Sequence, residues 1–373
     1  MTTRSNTFVG MRESATMRIL GGGELNTQGF ATVSHFDDTT NTGSATVTIG
    51  GSAAATSKWD VEGKLTVGLA DAARISVFDH GQLITRNNVV LADKAGAAPS
   101  EVIVEGPNAI WDGDENSFAE ITIGDEALGR LLVRRGATVE LAETIVARTS
   151  ASIGGITVND AALITQNMTL GQGGPASLLI TGNDATVTVD GTLDMAVNAT
   201  SSSAEIDLRN AASLQVNDGL DVGQGGEAIV DVPTETSLTA GSLDVGDNGR
   251  ITVTGQNATL DVDDEDGFGE SVRVSGEGEL NLLAGAAADI DGSLVIGRSD
   301  SEKTSRVIVD GFEASKGLTP TTMTVGDTGG VTVGEAGRAV LEVTNGAQLD
   351  VTAGGVSLGG AEGSEGSTMT VGG

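Results

Sequence analysis

The chain has 373 residues, among them 55 Gly, seven Phe, two Trp and no Tyr, too few rings to fill a conventional globular core. Its 52 acids against 20 bases give a formal charge of −32, which argues against nucleic acid and anionic lipid, since both need basic patches. It has no Cys, which removes disulfides, thiolate metal sites and cysteine nucleophiles.

Residues 1–44 show no clear period and read as an irregular cap or attachment segment, as an open solenoid end needs protection. They hold His35, one of two His, and lack the uninterrupted apolar segment of a secretory signal. No apolar stretch in the chain approaches the roughly 18 residues of a membrane-crossing helix, so no membrane insertion is expected.

From residue 45 to 373 a repeat takes over. A strand signal recurs at Ile75–Val77, Val102–Val104, Leu131–Val133, Ile156–Val158 and Leu178–Ile180. It continues at Ile206–Leu208, Ile229–Asp231, Ile251–Val253, Leu280–Leu282 and Val307–Val309. The starts lie 27, 29, 25, 22, 28, 23, 22, 29 and 27 residues apart, a spacing suited to a solenoid. A second signal is an alternating triplet closed by Gly: ATVTIG at Gly50, KLTVG at Gly68, EITIG at Gly124 and NMTLG at Gly171. GLDVG at Gly223, SLDVG at Gly246, SLVIG at Gly297, TMTVG at Gly326, GVSLG at Gly359 and TMTVG at Gly372 complete it. Alternation points one face inward, and Gly permits the positive φ of a sharp corner. A third signal is a Gly/Asn turn followed by a strand, as in GPNAIW at 106–111, GNDATVTV at 182–189 and GQNATLDV at 255–262.

One coil therefore reads strand, Gly/Asn turn, strand, short loop, strand ending in Gly. The predicted fold is an all-β, right-handed parallel β-helix of about 10–12 coils of roughly 22–29 residues, three short strands per coil, with strands about 4.8 Å apart. Hairpin signals, which a β-sandwich or barrel would need, are few. The sequence stops at Thr-Met-Thr-Val-Gly-Gly in mid-pattern, so the solenoid reads as open at that end. Head-to-tail addition of another copy would complete its ladders and build a filament, and lateral association of copies is the alternative arrangement.

Two stretches carry a family resemblance: SKWDVEGKLTVGLADAARISV at 57–77 and AIWDGDENSFAEITIGDEALGRLLV at 109–133. Trp59 and Trp111 share a repeat position, and Gly68 and Gly124 each lie seven residues before the next strand signal. This style resembles repeats in passenger regions of bacterial autotransporters and related surface proteins. The resemblance implies an extracellular or cell-surface β-helix with adhesive or scaffolding roles, and a surface glycan or protein receptor as partner.

Many parallel β-helices act on polysaccharides, a chemistry that needs carboxylates converging in a cleft. No such convergence is legible: His35 and His80 are isolated, and His80 in Phe-Asp-His-Gly reads as a turn residue. The densest acidic run is Asp261, Asp263, Asp264, Glu265 and Asp266, which reads first as a solvated acidic loop between coils; its hard oxygens also suit weak Ca²⁺ binding, although the EF-hand order fails. A shorter cluster is Asp112, Asp114 and Glu115. Arg130, Arg134 and Arg135 form the local basic cluster and are expected to pair with acids on adjacent coils. The two Trp are expected to fill one internal position in successive repeats, with a sugar-stacking pair as the alternative. The expectation is a non-enzymatic structural protein without catalytic residues or a resident cofactor. A phage tail fibre or spike segment and a polysaccharide-active enzyme are the alternatives.

Overall fold

The computed structural model describes residues 1–373 apart from 4, 12, 36–42, 53–54, 96–97, 114–118, 199–201, 264–270, 299–302, 312–318, 327–328, 361–362 and 373. The described residues form strands and no helix, and the strands stack in parallel in about 12 coils. This is the β-solenoid that the repeat predicts. Two compact units divide the chain, one of Met1–Asp190 with Ser201–Ser203, the other of Gly191–Thr200 with Ala204–Gly373.

A coil of the first unit illustrates the plan: a first strand at Ala73–Phe78, a second at Gly81–Thr85 and a third at Val89–Leu91. Asp79 and His80, both at positive φ, make the turn between the first two. His80 is thus the turn residue expected. Along the first strands, Val47, Ile75, Val102, Leu131, Ile156 and Leu178 stand in line, one per coil, and are buried. In the second unit Val230, Ile251, Leu280, Val307 and Leu341 form the equivalent line. Full burial of one such side chain stabilises by about 1.5–3 kcal/mol, but only while the coils on both sides are in place, so stability is collective.

Both Trp belong to the inward line of second strands, Leu25–Trp59–Leu83–Trp111–Val139, and neither is solvent-accessible. Each indole N–H donates to a Thr hydroxyl of the preceding coil, Trp59 to Thr27 at 3.2 Å and Trp111 to Thr85 at 3.1 Å. The internal-filler reading holds for the pair, and sugar stacking is excluded by their burial.

The corner after the third strand sits in the left-handed region. Gly fills it at Gly68, Gly124, Gly171, Gly223 and Gly297. A Cβ on Gly68 would come within 1.8 Å of Ser100 Oγ, so both φ and space demand Gly there. Ala92, Ala147 and Ala196 hold the corresponding corner at φ of 58, 56 and 52°. The missing Gly explains why those coils lack the Gly-closed signal.

Three Gly-closed triplets lie on other sides of the coil than the sequence pattern implied. ATVTIG at Ala45–Gly50 and the terminal Thr368–Val371 are first strands, and Thr322–Val325 is a second strand. Apolar-polar-apolar alternation fits any side of the coil, so the triplet alone does not identify which one. One strand signal is also a residue out of phase: in Glu227–Val232 the inward residues are Ala228, Val230 and Val232, and Ile229 points outward opposite Arg250. Within residues 1–44, Ala15–Leu20, Glu24–Thr27 and Ala31–Val33 pair in register with the three strands of the following coil.

Candidate functional site

Because neighbouring strands are in register, outward side chains stack into lines as strictly as inward ones. These lines are where chemistry is available. In the second unit, the middle residues of successive third strands are Asp194, Asp221, Asp244 and Arg273. Burial raises the pKa of Asp194, and the neighbouring charge and hydrogen bond of Asp221 raise it further. Burial likewise raises Asp244, Asp221 adds to it, and Arg273 and Arg298 oppose it. In the first unit the same outward position is apolar or hydroxylic, Thr66, Val90, Thr122 and Ile145, and is buried.

The acidic run predicted to suit Ca²⁺ falls on a second line. Asp261 stacks on Asp289, with Asp263 two residues further along. Burial raises the pKa of Asp261, and Asp263, Asp289 and Asp291 reinforce the shift. A cleft of about 280 Å³ lies beside Asp263, lined also by Gln215, Asn217 and Thr239. Asp264, Glu265 and Asp266 lie outside the described residues, as do Asp114 and Glu115 of the shorter cluster. Among the described residues, no three acid or imidazole groups are placed to hold a metal ion together.

The basic residues are mostly committed to ion pairs. Arg86 donates to Asp60 at 3.0 and 3.1 Å. Burial pushes the Asp60 carboxyl up, but hydrogen bonds from Arg86 and Lys58 outweigh it and hold the pKa below its ordinary value. Arg134 and Arg135 both pair with Glu105, and Arg148 pairs with Glu120. Arg134 and Arg135 therefore follow the expected pairing across coils. Arg130 is exposed and forms no ion pair among the described residues. His35 meets Phe8 edge-on, with ring centroids 5.1 Å apart, and Phe8 meets Phe30 at 5.3 Å.

The acidic line at Asp194, Asp221 and Asp244 was not singled out from the sequence, although two of its members sit at the centre of GLDVG and SLDVG. The alternating triplet marks the inward residues, and the stacking of its outward Asp on the next coil emerges only with the register.

In-register parallel ladders, an aliphatic interior and left-handed corners define the class of this protein as a β-solenoid. No protein-family description matches the chain, and no curated protein matches it. Among solved structures, the chain is similar to a TibC-catalysed, hyper-glycosylated TibA fragment, at 13% identity over 94% of this chain and 98% of that one, with a TM-score of 0.25. The class rests on the chain's own register.

Proposed function

We propose that this chain is a non-catalytic structural β-solenoid of the cell surface or extracellular space, a scaffold or adhesin stalk that self-associates by stacking coils. The observation that carries the reading is the use made of the outward positions. They form short lines of like or alternating charge, Asp194–Asp221–Asp244 and Arg74–Glu101–Arg130 among them, spread over successive coils. Catalysis needs different groups converging on one reacting atom. The repeat style of the two Trp-bearing stretches supports the surface setting.

Self-association belongs to this reading because in-register parallel ladders are a backbone pattern that the coils of a second copy can extend. Electron micrographs and light scattering across a concentration series test this. End-joined oligomers or filaments are expected. Single particles at every concentration would refute self-association.

A further inference from the structure

A groove recurs in both units at one corner of the coil, where first strands begin. In the first unit it encloses about 410 Å³ and is bordered by Thr46, Ala73, Arg74, Pro99, Glu101 and Arg130. In the second unit it encloses about 350 Å³, and its charged residues are Glu227, Asp247, Arg250, Glu277 and Glu279. The register is the same in both. Arg74, Glu101 and Arg130 stack on successive first strands, as do Arg250, Glu279 and Arg306. The sign differs: two cations face one acid in the first groove, and four acids face one cation in the second. Lys303 joins that second corner, held by Asp247 at 3.2 Å and Glu277 at 3.5 Å.

We propose that the first unit's corner groove binds carboxylate-bearing oligosaccharides, with Arg74 and Arg130 as its two anion contacts. The two arginines are two strands apart in the ladder, roughly 10 Å by strand spacing. A small lone anion reaches one of them at a time. An acidic saccharide lying along the stack presents carboxylates to both, and each guanidinium fork can take a carboxylate through two hydrogen bonds. Both forks are accessible: the Arg74 side chain is 56% exposed, and Arg130 is exposed without an ion pair among the described residues.

Glu101 lies between them on the line, 2.7 Å from Arg74, and its carboxylate can accept from saccharide hydroxyls. It also cancels one positive charge, which keeps the affinity modest. An extended peptide is disfavoured as the occupant. The strands bearing Arg74 and Glu101 are paired on both sides, so no free strand edge is available for backbone addition. The inference gives the surface reading a ligand class, and it stands or falls separately from self-association, which micrographs decide.

The test is calorimetric titration at low ionic strength with oligogalacturonate, beside neutral galactose oligomers of the same length and polyglutamate. Oligogalacturonate should bind, and added salt should weaken it by screening. Arg74→Ala and Arg130→Ala should each weaken binding about tenfold, the scale of one lost charge-assisted contact. Glu101→Gln should tighten it, and Arg250→Ala should leave it unchanged. Unaltered circular dichroism and melting of each variant confirm that contact, and not folding, was lost. Three results would overturn the proposal: no oligogalacturonate binding at millimolar concentration, equal binding of the neutral oligomer, or polyglutamate binding as tightly at the same arginines.

Discussion

Replacing Thr85 by Val is the sharpest probe of the interior. The side chains are nearly equal in volume, so packing is conserved and one acceptor is lost. The Trp111 indole N–H, which donates to Thr85 at 3.1 Å, then has no partner, and both residues are fully buried. The indole nitrogen is a donor only and cannot invert its role. Leaving a buried donor unmade costs about 1–3 kcal/mol, and loss of the buried hydroxyl offsets part of that, so about 1–2 kcal/mol is expected. Trp111→Phe removes the donor as well as some packing. The double variant should then be less destabilised than the sum of the singles by about 1 kcal/mol. Urea unfolding followed by Trp emission suits the measurement, because Trp59 and Trp111 are the chain's two Trp and both lie in the first unit. Native emission should be blue-shifted and resistant to acrylamide. A cost for Thr85→Val below about 0.3 kcal/mol, or native emission that acrylamide quenches freely, would refute a sealed Trp line with paired indoles.

The corner predicts an asymmetry. Gly68→Ala meets both a positive φ and Ser100 Oγ at 1.8 Å, and should cost more than about 2 kcal/mol in unfolding experiments. Ala92→Gly relieves a left-handed Ala at φ 58° while losing a buried methyl, and should stay within about 0.5 kcal/mol of wild type. The stacked carboxylates give a pH signature. Asp194 and Asp244 have folded pKa values raised above 3.8, so their contribution is fully present below that value and is lost as pH rises through the folded pKa. Asp221→Asn should therefore raise the melting temperature at pH 7 more than at pH 4, and an equal effect at both would count against the stacked charge. Asp60 runs the other way: its folded pKa is lowered, so its contribution is present above 3.8 and lost as pH falls through the lower folded value. Asp60→Asn should accordingly lower the melting temperature at pH 7 and make little difference in strong acid. Asp261→Asn relieves repulsion from Asp263, Asp289 and Asp291 and should stabilise the protein in calcium-free buffer at neutral pH. If millimolar calcium reverses the order of the two melting temperatures, the run holds the ion; no heat and no shift with calcium would remove it from the reading.

The repeat was legible because inward positions obey a single requirement. Val102, Leu131 and Ile156 fill equivalent places, and any aliphatic side chain keeps the signal. Assigning a strand to its side of the coil was harder, as Thr322–Val325 shows: its alternation and closing Gly are those of a third strand, but its partners are second strands. At Ile229 the phase is masked because the largest aliphatic residue of the strand points outward, whereas Ala228, Val230 and Val232 face inward. The strand at Ala15–Leu20 is masked for a related reason. Ala15–Leu20 places Arg18 among its outward residues and has half-exposed Ala15 and Met17 where later coils have buried Ala45 and Val47. Its place in the ladder follows from its partners, which no single stretch of sequence displays.

The outward lines extend this argument to function. A parallel in-register stack turns one sequence position per coil into a row of neighbours, so the sign of that residue is copied along the surface. Stacked like charges repel and alternating ones attract, and both arrangements occur: Asp on Asp along Asp194, Asp221 and Asp244, Arg on Glu along Arg74 and Glu101. Alternation pairs charges between coils, as Glu101 does with Arg74, while Arg130 at the end of the line stays exposed. The same backbone corner can therefore carry a cationic groove in one unit and an acidic one in the other, with the difference set by a few outward residues. The surface charge of such a corner is set at the register positions that the core does not use. The sequence comparison most informative about function is thus between outward residues at equal phase, and not between the aliphatic triplets that reveal the fold.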